Sequence, residues 1–239
     1  MNVNFQNIGL AFVLLATGGL LAFSSVKNSK RNLEDLNVEF VGEDNLFIQQ
    51  ETVSKLLIQN YEAVTNVPKD IIDLNGLESA LNSNPMIKEA QVYLSVDGVL
   101  TAQVRQKTPV ARVQTNAAYY IDDQGSFMPL SKNYTARVPL VTGAIDKNNL
   151  EEAYVLAKKI ESDAFLKAHV VEIHQKENNT FNLRFRDYSF VIQLGTLSVL
   201  DKKINNLKAF YQKALKDKSL SRYSTVNLAY DSQVICTKK

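Results

Sequence analysis

Apolar and polar residues alternate along 91–96 and again along 100–105. In the first run Val92, Leu94 and Val96 fall on one side and Gln91, Tyr93 and Ser95 on the other. In the second, Leu100, Ala102 and Val104 oppose Thr101, Gln103 and Arg105. Alternation of this kind predicts two strands, each with one buried face. Asp97-Gly98 lies between them and predicts a hairpin. A two-residue loop would pair Val96 with Val99 and so set Leu94 against Thr101, apolar against polar. An odd loop, most simply of three residues with Gly98 in the left-handed region, restores apolar pairing and is the expected connection.

The residues before this hairpin predict a small module. Residues 36–41 (LNVEFV) read as a strand. In 48–61, Val53, Leu56, Leu57 and Tyr61 recur at helical spacing. A shorter helix spans 74–81, with Leu74, Leu77 and Leu81 on one side, and Asn75 and Glu78 at the spacing of a capping box. Asn84-Pro85 stops that helix. The order is strand, helix, helix, strand, strand.

This order, with the Thr-Pro-Val-Ala segment after the hairpin, resembles a POTRA domain. Further matches run along the chain: Val41-Gly42, Ile72-Asp73, Ala90-x-Val92, Pro109-Val110-Ala111, the run Tyr120-Ile121-Asp122-Asp123-Gln124-Gly125, Leu194-Gly195 with Lys203 beyond it, and Tyr230-Asp231-Ser232. Together they are similar to the bacterial cell-division family FtsQ, called DivIB in some groups. The chain departs from that pattern at Met86, where the family often has Trp, and at Gln106-Lys107, where it often has an acidic residue.

Past the hairpin, 119–121, 127–130 and 139–141 read as short strands. A helix over 149–162 carries Leu150, Ala153, Tyr154, Ala157 and Ile160 as its apolar stripe. Strands follow at 170–174, 181–185 and 190–194. A last helix over 200–215 buries Leu200, Ile204, Leu207, Tyr211 and Leu215. Lys202, Lys203, Asn206 and Lys213 form a charged face read as solvated. Residues 225–236 supply the final extended segment. The expected fold class is α+β: an N-terminal transmembrane helix, a β-α-α-β-β module, then a mostly antiparallel β domain with two helices. The expected divisions are a short N-terminus over 1–7, a membrane helix over 8–26, a linker over 27–32, the POTRA domain over 33–113 and the β domain over 114–239.

The membrane helix rests on 8–26 (IGLAFVLLATGGLLAFSSV), which has no charged side chain. At about 1.5 Å per residue it spans roughly 28 Å, close to the thickness of a hydrocarbon core. A cleaved signal peptide fits less well, lacking a basic start and a small-residue cleavage site. Lys27, Lys30 and Arg31 follow the run, and the positive-inside rule would keep the body in the cytoplasm. The resemblance implies the opposite: a body outside the cytoplasmic (inner) membrane, anchored by a single pass, at the division septum. The two expectations oppose each other.

Composition narrows the chemistry. Twenty-seven basic against 25 acidic side chains leave a net charge of +2, which makes no case for nucleic acid. The only histidines are His169 and His174. Five residues apart on one strand, they would face opposite ways and could not share a metal. Asp122-Asp123 before Gln-Gly reads as a turn. Cys236 is the only cysteine, so no internal disulfide forms. No phosphate-binding loop is present. The chain reads as non-enzymatic, with no cofactor and no metal.

Affinity then has to come from surfaces. Residues 225–236 alternate at Val226, Leu228 and Tyr230, and a terminal edge strand would offer open hydrogen bonds to a partner strand. The resemblance implies binding of the division proteins FtsB and FtsL through this part of the β domain, with other division proteins at the POTRA module. Tyr230 and Ser232 fall on its Tyr-Asp-Ser pattern, and Val234 follows on the same edge. These three are the expected partner-binding residues. The resemblance implies a scaffold that helps control septal peptidoglycan synthesis. The alternative is a POTRA-bearing component of protein export or outer-membrane assembly.

Overall fold

The computed structural model describes residues 5–29, 32–42, 45–58, 68–230 and 233–239. The chain divides into two compact units, Met1–Gln106 and Lys107–Lys239.

The first unit holds helix α1 (Phe5–Ser29), strand β1 (Asp35–Phe40), helices α2 (Gln50–Ile58) and α3 (Leu74–Asn82), and strands β2 (Ile87–Leu94) and β3 (Val99–Gln106). The described side chains of α1 include exposed Leu10, Phe12, Val13, Leu14, Leu15, Leu20, Leu21 and Phe23. Among the described residues, no helix is long and apolar enough to cross a membrane. The helix expected over 8–26 forms within α1, and its crossing of a membrane is not shown by the structure. The linker residues Lys30 and Arg31, and Tyr61 of the second predicted helix, lie outside the described residues.

The three strands form a sheet in the order β1-β3-β2. Leu94 pairs with Leu100, Val92 with Ala102 and Ala90 with Val104. Val96, Asp97 and Gly98 make the three-residue loop, closed by Ser95 N–H donating to Val99 O (2.9 Å), with Gly98 at φ 93°. Helices α2 and α3 bury Val53, Leu57, Leu77 and Leu81 in the core with these strand residues. The capping box is corrected. Asp73, not Asn75, caps α3 by accepting from Gly76 N–H, because it stands just outside the helical backbone. Glu78 turns to β2 instead and accepts from Val92 N–H at 3.1 Å.

The second unit contains β4 (Pro109–Gln114), β5 (Ala118–Asp122), β6 (Phe127–Met128), β7 (Leu140–Gly143), helices α4 (Glu151–Ser162) and α5 (Ala164–His169), β8 (Val170–Gln175), β9 (Phe181–Phe185), β10 (Val191–Gly195), helix α6 (Leu200–Lys216), β11 (Tyr223–Asn227) and β12 (Ile235–Lys238). The Thr-Pro-Val-Ala segment, read from sequence with the first module, belongs to β4 here. Nine strands run in the order β12-β11-β10-β9-β8-β7-β4-β5-β6. Five of the eight strand pairs described in this sheet are antiparallel, in keeping with the expectation, whereas the expected two helices become three. Pairs β4/β7, β7/β8 and β10/β11 are parallel, and α5 is a third helix. Parallel neighbours need a crossover. Helices α4 and α5 make one between β7 and β8, and α6 makes one between β10 and β11.

One face of this sheet buries Val113, Val141, Ile173, Leu183, Ile192 and Val226 with α4, α5 and α6. The other carries Arg112, Thr142, Glu172, His174 and Arg184. His169 ends α5 rather than lying on a strand with His174. It sits among Phe165, Phe185 and Tyr211, with Nδ1 2.8 Å from Phe165 O. The nearby Tyr211 hydroxyl is pushed up to about 12 by burial and by its hydrogen bond with Tyr188.

Asp163 joins the helices. Its carboxylate caps α5 at Phe165 and Leu166 and binds Lys208 of α6. Burial raises its pKa, but Lys208 and the amide of Leu166 outweigh that and hold it below the ordinary value. A carboxyl with a lower pKa folded than unfolded stabilises above its unfolded value, and the gain fades as pH falls through the folded one. Comparing acid unfolding of wild type and Asp163→Asn should show the wild-type advantage shrinking as pH drops below the usual carboxylate range. An advantage constant with pH would refute this role.

Candidate partner-binding edge of the second sheet

Strand addition needs backbone groups that nothing else occupies. In the small sheet, side chains already fill several outward positions. Asn82 of α3 accepts from Ala90 N–H (2.8 Å) and donates to Ala90 O (3.2 Å), while Glu78 holds Val92 N–H. Gln50 donates to Val38 O on β1. A peptide joining either edge would have to displace these contacts.

The large sheet ends differently. At one end is β6, two residues long, with Met128 fully buried and Pro129 following. At the other is β12, four residues long and, among the described residues, paired only with β11. Ile235 is 42% exposed, Thr237 and Lys238 are exposed, and Cys236 is half-buried against the core. Burial pushes the Cys236 thiol up, away from thiolate chemistry. Ser224 is an extra residue in the pairing, and its hydroxyl donates to Thr237 O and Lys238 O. The bulge fixes the end of β12.

The predicted single segment over 225–236 is thus two strands, β11 and β12, folded back on each other. Backbone hydrogen bonding decides this: Asn227 pairs with Ile235 on one side, while on the other Leu228 N–H continues the pairing with β10 by donating to Gln193 O at 2.8 Å. Tyr230 lies in the connection and is 52% exposed. Val234 sits just before β12 and packs partly against the core. Ser232 lies outside the described residues. The structure therefore brings Tyr230 and Val234 to the β11–β12 turn and places neither on the edge strand. Ile235, which is not among the three expected residues, is the exposed apolar residue on the edge strand. Its position beside buried Val226 and Leu228 was hidden by the assumption of one continuous strand.

A second group lies behind the turn. Gly195 ends β10 at φ 74°, and a Cβ there would meet Ala229 Cβ at 3.2 Å. Lys203 of α6 donates to Thr196 O at 2.7 Å. It is 2% exposed, which corrects its reading as part of a solvated face. Val199, at φ 47°, starts α6 in the left-handed region, a strained conformation for a β-branched residue. Leu194-Gly195, Lys203 and Tyr230, far apart in sequence, thus converge on one corner of the sheet.

No group of three or more His, Cys, Asp or Glu is arranged to hold a metal among the described residues. Asp122 has a structural role. It is fully buried, forms an ion pair with Lys107 at 2.7 Å, and accepts from Gln124 N–H and Ser126 N–H.

A family model described as "FtsQ/DivIB, C-terminal related" matches residues 108–237. A POTRA-like domain model matches residues 34–105. The cell division protein FtsQ of Geotalea daltonii is 24% identical over 177 residues, covering 69% of this chain and 63% of that protein. Its counterpart from a Geobacter species is 25% identical over 179 residues, covering 70% and 64%. The chain spans a little under two thirds of the length of these relatives.

Proposed function

Given that the chain belongs to the FtsQ/DivIB family of cell-division proteins, we propose that it is a non-enzymatic scaffold of the bacterial division machinery. It recruits partners by strand addition at β12 and helps control septal peptidoglycan synthesis. The observation that carries this reading is the open β12 edge beside exposed Tyr230 and Ile235. The proposed partners are FtsB-like and FtsL-like proteins. Tyr230 and Val234 guide the incoming strand, with Ser232 between them in sequence, and Ile235 forms its apolar footing. Other division proteins at the first unit are a weaker case, because α3 side chains occupy the β2 edge.

Helix α1 is the proposed membrane anchor. Its exposed apolar side chains and the uncharged run over 8–26 support a single pass in the inner membrane, with the body outside at the septum. An open sheet backed by helices, within this family, supports the division reading over the export one.

The test is a titration of the full chain, in lipid nanodiscs, with the extracytoplasmic segments of the same organism's FtsB-like and FtsL-like proteins. Tyr230→Ala and Ile235→Asp are each expected to weaken binding at least about tenfold, equivalent to 1.4 kcal/mol. Circular dichroism would confirm that both remain folded. Binding unchanged by either substitution would remove the site from β12. No binding by folded wild type would overturn the scaffold reading.

A further inference from the structure

The first unit gathers one set of loops around Asn32, the first described residue after α1. Glu34 N–H donates to Gly98 O at 2.9 Å, and a Cβ on Gly98 would stand 2.9 Å from Asn32 O. Asn32 also bridges to Pro68, which begins the 3-10 turn Lys69–Ile71. Lys69 then ties that turn to the hairpin, donating to Ser95 O at 2.9 Å and Val96 O at 2.6 Å. Two large apolar side chains stand out from this end of the module: Val96, 70% exposed, and Ile71, 63% exposed.

The covalent chain limits how far this end lies from α1. Asn32 follows Ser29 by three residues, a reach of at most about 11 Å. An end so tethered to a membrane helix stays close to the headgroup layer. Scattered apolar residues on a surface need no explanation. Here two of them share the one set of loops that the anchor holds near lipid.

We infer that Val96 and Ile71 dip into the bilayer interface and seat the first unit on the membrane. This rests on the reading of α1 as an anchor. The occupant is lipid acyl chain and glycerol backbone rather than charged headgroup, because the Lys69 ammonium is held by two carbonyls and the same loops carry exposed Glu34 and Asp97. Backbone carbonyls at 95 and 96 remain satisfied by Lys69, which lowers the cost of bringing that loop out of water.

The experiment uses the full chain with Cys236→Ser, reconstituted in phosphatidylcholine vesicles with and without phosphatidylglycerol. Single cysteines replace Val96, Ile71, Leu15 or Glu89 and carry a nitroxide. Power saturation against oxygen and a water-soluble nickel chelate reads the depth of each label. Labels at 96 and 71 are expected to favour oxygen several-fold more than the label at 89, in both lipid mixtures. Water-like values at 96 and 71, with the label at 15 embedded, would overturn the inference and leave the anchor reading standing. A water-like value at 15 would overturn both. Interfacial values seen only with phosphatidylglycerol would mean charge attraction and would also overturn the apolar seat.

Discussion

Replacing Asp122 with alanine is expected to lower the stability of the second unit by about 3–5 kcal/mol, the usual effect of breaking a buried ion pair. Three losses combine at one fully buried site. The Lys107 ammonium, itself largely covered, loses its counter-ion. The amides of Gln124 and Ser126 lose the oxygen that closes the β5–β6 turn. The strand end beside Met128, at the core of that turn, loses its support. Domain stabilities are about 5–15 kcal/mol, so the change consumes a large share. Denaturant unfolding of the second unit, followed by near-ultraviolet circular dichroism, measures it. Lys107→Met combined with Asp122→Asn should recover much of the loss, since it removes both charges and keeps an acceptor for the turn. A loss below about 1 kcal/mol for Asp122→Ala, the range of a solvent-exposed pair, would show that the pair is not holding the turn.

Gly143→Ala is the second large effect. Gly143 ends β7 at φ 94°, where side chains are strained, and a Cβ there would overlap the carbonyl oxygen of Gln175. The obstacle is backbone in the adjacent strand, which also accepts from Ala144 N–H at 2.8 Å. A flexible side chain would swing away; this carbonyl cannot move without disturbing β7 against β8. Backbone strain of about 1–3 kcal/mol and a similar overpacking term predict a loss of about 3 kcal/mol or more. The same unfolding measurement tests it, with Gly9→Ala as a control, since nothing lies within 4 Å of a Cβ there. A loss below about 1 kcal/mol would show that β7 and β8 separate without difficulty.

Much of this architecture is legible in the sequence where periodicity alone decides. The three-residue hairpin loop follows from matching Leu94 with Leu100, because the wrong parity would bury polar side chains. The stripes of α3 and α4 are equally plain; that of α6 holds at Ile204, Leu207 and Tyr211 but not at Leu215, which is 52% exposed while Ala214 is buried in its place. Other features were overridden by context. Helix α5 is only six residues long, too short for a stripe, although Asp163 before Ala164 is an N-cap signal. Parallel pairing in the large sheet follows from the helices between β7 and β8 and between β10 and β11, a topological cue that strand patterns alone do not carry. Lys203 is the instructive case. It lies three residues after Leu200 and four before Leu207, on the buried stripe by spacing. Residue type suggested solvent, whereas Thr196 O offers its ammonium a buried partner. Tyr230 is readable only as part of a family pattern, since the residues just before it, Leu228 and Ala229, are seated on Gln193 and Gly195 of another strand.

Gln106 and Lys107 are neighbours in sequence but anchor to different cores. Gln106 accepts from Phe47 N–H and Ile48 N–H and donates to Ile48 O inside the first unit. Lys107 is bound to Asp122 and to Phe127 O inside the second. A conventional linker absorbs a pull by uncoiling, and here there is no slack to draw out. Each unit is held right up to its last or first residue, by Gln106 in one and by Lys107 in the other.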